Sequence, residues 1–203
     1  YLAAPPVRRN VRRAADVTLS VVNGFDKVIE RTGAWLGFDE KPLAQWITEE
    51  ISVGGFSTTL PVKGNEDIGI GSLLGMQPEG VPHWGVAVVR RLLRKNDNQI
   101  NVGAEILSNR VAGVSLNYGS VAGGATESGQ SALWLYSKQA EDLGEVQLLM
   151  KADTFTPGRS MKILLNGKEY LLMPIGLQER GLDYDLAKFR FAVQEAASTE
   201  EAY

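Results

Sequence analysis

Four arginines near the start of the chain are the residues whose type and spacing most clearly favour ligand binding. They form what we call the arginine segment, residues 8–13, and are Arg8, Arg9, Arg12 and Arg13. Guanidinium groups bind phosphate through paired hydrogen bonds and stack on purines, so an Arg-x-x-x-Arg pair can hold a nucleotide at two points. The alternative is a solvated basic segment, since exposed arginines often only raise solubility.

A second pattern combines a carboxylate, a hydroxyl and two glycines. Glu50 and Ser52 fall two positions apart, and Gly54 and Gly55 follow. Alternation along a strand puts Glu50 and Ser52 on one side, and the glycines permit a positive φ or a close approach of the backbone to a ligand. A carboxylate can accept the N1–H and N2–H₂ donors of guanine, while a hydroxyl can reach a phosphate or a base edge. Without the arginines, an ordinary bend from strand to turn would explain the same residues.

Together the two patterns resemble the PilZ domain, the bacterial receptor module for cyclic di-GMP. The family order is RxxxR, then [D/N]xSxxG, then a VVRR-like and an IGxE-like element. In this chain the same order runs through the arginine segment, Glu50-Ile51-Ser52-Val53-Gly54-Gly55, Gly85-Val86-Ala87-Val88-Val89-Arg90-Arg91 and Val102-Gly103-Ala104-Glu105. The resemblance covers residues 8 to about 110.

The resemblance implies a receptor that binds cyclic di-GMP, with no cofactor and no enzymatic activity. The arginines would grip the phosphates and guanine, Glu50 and Ser52 would read one guanine, and Gly54 and Gly55 would line the site. RxxxR is satisfied twice, by Arg8 with Arg12 and by Arg9 with Arg13, and both remain open. Binding would order the N-terminal arm and reposition an upstream domain or a protein partner.

Two departures from the family pattern favour a second interpretation. Glu50 stands where the family prefers Asp or Asn, and its side chain is one methylene longer. The stretch between the two motifs is also longer than in the family, which indicates an insertion that carries Trp35 and Trp46. The alternative is therefore a degenerate PilZ-like module that has lost the nucleotide and acts in protein–protein contact or oligomerisation.

Composition excludes several other classes. The chain has 203 residues, a formal net charge of −3, no Cys and one His, His83, which argues against disulfide scaffolds, zinc fingers, cysteine nucleophiles and sites that need two imidazoles. We expect no nucleic-acid polymer and no membrane as partner, and a cytoplasmic location, because no signal peptide or long apolar run is present. The first residue is Tyr, so we expect a fragment or processed form. The oligomeric state is left open.

Periodicity predicts a mainly β fold made of a PilZ-like antiparallel β-barrel with a short inserted helix, followed by a second small β-sheet or β-barrel. Residues 84–93 and 99–107 are predicted to pair as a hairpin, and 26–36 to form the helix, capped by Asp26. The predicted units are residues 1–116, a Gly-rich linker or loop over 117–131, and a C-terminal β unit with a polar tail over 132–203. Asn166-Gly167 predicts a type I′ turn within that unit.

A second basic patch follows the VVRR-like element. Its simplest interpretation is a solvated sheet face, and the alternative is a secondary ligand contact. Its members are Arg90, Arg91, Arg94 and Lys95.

Overall fold

The computed structural model describes residues 13–14, 16–33, 43–118 and 129–194. These residues form two compact β units. Of the described residues, the first unit holds 13–28 and 43–110, and the second holds 29–33 and those from 111 onward. The predicted mainly β fold with few helices is confirmed. The two helices of the described residues, eight and five residues long, are too short to cross a membrane.

The first unit is an eight-stranded antiparallel sheet in the order β1-β4-β5-β8-β7-β6-β2-β3. Its strands are β1 (Arg13–Ala14), β2 (Thr18–Asn23), β3 (Ala44–Ile47), β4 (Glu50–Ser52), β5 (Gly55–Pro61), β6 (Leu73–Pro78), β7 (Gly85–Asn96) and β8 (Gln99–Ser108). Helix α1 (Phe25–Thr32) follows β2, and its residues up to Val28 belong to this unit.

One apolar cluster forms the core of this unit and draws on seven of its strands, β2 to β8. Strand β8 shows how the sequence produces it: Ile100, Val102 and Ala104 point into the core, as their alternation predicts. The intervening residues Asn101, Gly103 and Glu105 therefore point to the opposite side, which we call the outer face. The predicted hairpin is confirmed, since β7 and β8 pair along their length around Asp97 and Asn98.

Strand β7 is buried on both faces near its start. Val89 belongs to the core, whereas Val86 faces the other way and is equally buried. Val86 pairs with Gly75, and a Cβ on Gly75 would collide with Val28 of α1. The helix therefore packs close to the sheet where a glycine leaves space.

Helix α1 departs from its predicted start. It begins at Phe25, so Asp26 lies in the first turn, where a carboxylate favours the helix dipole, rather than at the cap. The helix ends at Thr32 and Gly33 follows, while the rest of the predicted span 26–36 lies outside the described residues.

The second unit is a closed six-stranded antiparallel barrel in the order β10-β11-β14-β13-β12-β9. The closed barrel is thus the C-terminal unit, and the N-terminal unit is the eight-stranded sheet. Both residues of the predicted Asn166-Gly167 turn have positive φ, as a type I′ turn requires. The elements are β9 (Val111–Asn117), β10 (Gln130–Leu135), α2 (Lys138–Asp142), β11 (Glu145–Lys151), β12 (Met161–Leu165), β13 (Lys168–Arg180) and β14 (Tyr184–Gln194).

The unit boundaries differ from those that the sequence suggested. Strand β9 belongs to the second unit, because it pairs with β10 and β12 in the barrel. The predicted first unit, 1–116, therefore extends six residues too far, from 111 to 116. Of the predicted loop 117–131, Asn117, Gln130 and Ser131 are in strands, and residues 119–128 lie outside the described part, as do 195–203 of the predicted tail.

Candidate functional site

A short antiparallel pair brings the end of the arginine segment beside the Glu50 motif. Strand β1 pairs with β4, with Arg13 opposite Ile51 and Ala14 opposite Glu50. Arg8, Arg9 and Arg12 lie outside the described residues, and Arg13 opens β1. Arg13 and the Glu50 motif are therefore neighbours on the sheet, although α1, β2 and β3 lie between them in the chain.

The motif strand turns Glu50 and Ser52 to the outer face. Ile51 packs against the core cluster of the first unit, so its two neighbours point the opposite way, as alternation predicts. Both are half-buried. The outer face next to β1 thus presents a carboxylate and a hydroxyl on one side of the same strand.

The turn between β4 and β5 has only two residues, Val53 and Gly54, with Ser52 paired to Gly55. The Ser52 hydroxyl donates a hydrogen bond to the Gly55 carbonyl oxygen at 3.2 Å, which ties the two strands together across the turn. The Ile106 amide donates to the Gly54 carbonyl oxygen at 3.1 Å and fixes the turn to the neighbouring strand. Ser52 therefore has a structural role in addition to any contact with a ligand.

Gly55 is required by the protein's own backbone. A Cβ built on Gly55 would collide with the carbonyl oxygen of Ala104 on β8. The sequence predicted a positive φ or a close approach of the backbone to a ligand. What the structure gives at Gly55 is a close approach to the adjacent strand.

Beside the motif lies a polar cluster that the sequence did not single out as a unit: Glu49, Arg91, Lys95 and Asn101. The buried Asn101 amide donates to the Thr58 carbonyl oxygen at 3.2 Å and to the Glu49 carboxylate at 3.3 Å. Lys95 Nζ donates to the other Glu49 oxygen at 3.3 Å. Asn101 could have been found as a polar residue between core positions of β8, but its partners depend on long-range pairing.

Glu49 is held in its ionised form by its neighbours. A hydrogen bond from the Thr59 side chain and the nearby Lys95 lower the pKa of the Glu49 carboxyl, although its partial burial acts in the opposite direction. A carboxylate that remains charged can keep both Asn101 and Lys95 as donors at neutral pH.

The arginines of the second basic patch each bind a different type of partner. Arg90 Nε lies 2.7 Å from a Glu105 carboxylate oxygen, which balances its charge. Arg94 donates to the carbonyl oxygens of Asn96 and Asp97 in the hairpin turn. Arg91 Nη2 instead donates to the neutral amide oxygen of Asn101 at 3.3 Å.

No group of three His, Asp or Glu side chains within the described part of the chain is placed to hold a metal ion. Comparisons with protein-family models, with curated proteins and with solved structures found no match for this chain. The functional argument therefore depends on the residues and their geometry alone.

We expect Gly55→Ala to destabilise the first unit, because the added methyl group must displace the β8 backbone. The expected loss is about 1–3 kcal/mol in the free energy of unfolding, measured by urea or thermal denaturation. Gly69→Ala is the matched control, since its Cβ would meet only the Ser72 hydroxyl at 4.0 Å. Equal stability of the two variants would contradict the steric role of Gly55.

We expect Glu49→Gln to lower stability at neutral pH, by less than about 1 kcal/mol because the pair with Lys95 is partly exposed. The folded state depresses the pKa of Glu49, so the ionised carboxylate contributes above its unfolded pKa, and this contribution is lost as pH falls through the folded pKa. The difference in the free energy of unfolding between wild type and variant should therefore shrink as the pH falls below the ordinary pKa of a glutamate carboxyl. Urea denaturation of wild type and Glu49→Gln at several pH values from 7 to 3 measures this difference, and Glu79→Gln is the control at an exposed position. A difference that stays constant over this range would refute the electrostatic role.

Proposed function

We propose that this chain is a receptor for cyclic di-GMP, with the ligand bound where the arginine segment meets the outer face of β4. The observation that supports the proposal is the pairing of β1 with β4, because Arg13, the last residue of the arginine segment, lies opposite Ile51 and Ala14 lies opposite Glu50. In a PilZ-like module the same two motifs together form the ligand site. The bacterial second messenger is an intracellular ligand, so the proposal includes a cytoplasmic location.

The chemistry of the two motifs is complementary. Cyclic di-GMP carries two phosphates and two guanines, and arginines bind phosphates through paired hydrogen bonds and stack on purines. Glu50 supplies an acceptor pair for the N1–H and N2–H₂ donors of guanine. The arginine segment would neutralise the negative charge of the phosphates, and Glu50 on β4 would recognise the guanine base.

The elements between the motifs, which include the predicted insertion, are compatible with this role. Helix α1, strand β2 and strand β3 form parts of the sheet and its packing, and the chain returns to put β4 beside β1. A longer stretch between two motifs lengthens the path along the chain, but the register of the sheet determines how far apart the motifs lie in space.

The proposed output is a change in the segment that leads into β1. Ligand contacts to the arginines and to β4 would fix that segment against the sheet, and a protein partner or a further domain attached there would respond. Such a receptor binds its ligand without transforming it.

Calorimetric titration with cyclic di-GMP tests the proposal. We expect the wild-type chain to bind. We expect the affinity to fall at least about tenfold in one of two double variants, Arg8→Ala/Arg12→Ala or Arg9→Ala/Arg13→Ala, because each arginine–phosphate contact is a charge-assisted hydrogen bond. Whichever double variant loses binding identifies the register. Lys63→Ala/Arg94→Ala removes the same charge from exposed positions of the same unit and is the control. No heat of binding at micromolar ligand would overturn the proposal and favour the module without nucleotide.

The Glu50 side chain provides a second test at the same site. We expect Glu50→Asp to tighten cyclic di-GMP binding, because the shorter side chain restores the residue that the family pattern prefers and draws the carboxylate back toward the sheet. Glu50→Gln should weaken binding, since an amide cannot accept two hydrogen bonds from guanine at both of its ends. An unchanged dissociation constant for Glu50→Asp would refute the methylene argument.

A further inference from the structure

Arg91 lies in the same cross-strand row as Glu50. Glu50 of β4 is directly opposite Ser57 of β5, Ser57 is opposite Gly103 of β8, and Gly103 is opposite Arg91 of β7. Residues directly opposite each other in antiparallel strands point to the same side of the sheet. Arg91 therefore belongs to the outer face that carries Glu50, three strands away.

The Arg91 side chain lies over Gly103. A Cβ on Gly103 would be 3.3 Å from Cβ and 3.4 Å from Nε of Arg91, so the absence of a side chain there lets the arginine lie along the sheet. The guanidinium group thereby extends from β7 toward β5 and β4. Neighbouring strands are about 4.8 Å apart, which leaves about 10 Å between the position above Gly103 and Glu50.

A buried amide holds this arrangement. Asn101, 8% exposed, accepts the hydrogen bond from Arg91 Nη2, and its own NH₂ group donates to Thr58 and Glu49. The three contacts fix the orientation of the amide. Arg91 is exposed and its partner is uncharged, whereas Arg90 on the same strand is paired with the Glu105 carboxylate.

The surface between the two side chains is made of small residues. Ser57 is only 4% exposed and Gly103 has no side chain, so contacts to a bound molecule would come from Glu50 and Arg91 at either side. A carboxylate and a guanidinium group on one face of the sheet, with small residues between them, are complementary to a flat ring with donors on one edge and acceptors on the other.

We propose that Arg91 is a further ligand contact that sets specificity for guanine, an inference that rests on the proposed cyclic di-GMP site. The base that donates N1–H and N2–H₂ to Glu50 presents O6 and N7 toward Arg91, and arginine binds these two acceptors in a bidentate manner. Adenine carries an amino donor in place of O6 and would meet the arginine with a donor. Asn101 and Gly103 act as positioning residues that keep the guanidinium group flat over the sheet.

The test compares Arg91→Ala with Arg94→Ala, which removes the same charge from the same strand. In calorimetric titration of the full chain with cyclic di-GMP, Arg91→Ala should lower the affinity about 10- to 100-fold, the range of one bidentate arginine–guanine contact. Arg94→Ala should change the affinity little. Arg91→Lys keeps the charge and should still lose most of this factor, because it lacks the planar fork. Circular dichroism of each variant checks the fold, and Arg91→Lys stands in if Arg91→Ala does not fold.

Ligand analogues separate the contacts. Cyclic di-IMP lacks the N2 amino group but keeps O6 and N7, so Arg91→Ala should lose the same factor with it as with cyclic di-GMP. A loss confined to cyclic di-GMP would show that the effect of Arg91 depends on the N2 amino group, which an arginine cannot bind by donating, and would overturn the inference. Cyclic di-AMP should bind weakly to wild type. In Arg91→Ala the ratio of the affinities for cyclic di-GMP and cyclic di-AMP should be smaller than in wild type.

The outcomes distinguish the two proposals. If wild type binds cyclic di-GMP and Arg91→Ala and Arg91→Lys behave like Arg94→Ala, the Arg91 contact is wrong and the receptor proposal stands. If wild type does not bind cyclic di-GMP, both proposals fail together.

Discussion

The candidate site depends on two pairs of residues in the backbone, Arg13 with Ile51 and Ala14 with Glu50. This register determines that the chain following the arginines runs beside the strand that carries Glu50. A shift by one residue would move Glu50 and Ser52 to the opposite face of β4 and put Ile51 outside. Because Ile51 packs against the core cluster, the hydrophobic core of the first unit enforces the register of its polar face.

Asn101 connects the interior of the sheet with that face. Burial of an amide is unfavourable unless its donors and acceptor are paired, and Asn101 meets this requirement with a backbone carbonyl, a carboxylate and an arginine. The same contacts that satisfy it define where Glu49 and Arg91 lie. Gly55 and Gly103 contribute because they have no side chain. Gly55 lets the backbone of Ala104 approach closely, and Gly103 lets the Arg91 side chain lie over it. The same few residues of β5, β7 and β8 thus position the polar side chains of the outer face and let the strands pack closely.

Local patterns in the sequence predicted the elements better than their arrangement. The alternation in β8, the hairpin with β7 and the Asn166-Gly167 turn are encoded by residues close together in the chain, and all three are present in the structure. The pairing of β1 with β4 and the membership of β9 in the barrel depend on contacts between distant segments, which periodicity does not specify. Glu50, Ser52 and the arginines were visible as motifs, whereas the Asn101 contacts and the collision that requires Gly55 emerge only when β5, β7 and β8 lie side by side.

The two units differ in how their sheets end. The barrel is closed, so every strand has a neighbour on both sides, while among the described residues the eight-stranded sheet ends at β1 and β3. Edge strands are where another polypeptide can add by backbone hydrogen bonding, and short edges offer it little length. Within the described residues β3 has only four residues, so this edge limits strand addition by another chain to a few hydrogen bonds. The brevity of β3 thus protects this edge of the described sheet against aggregation.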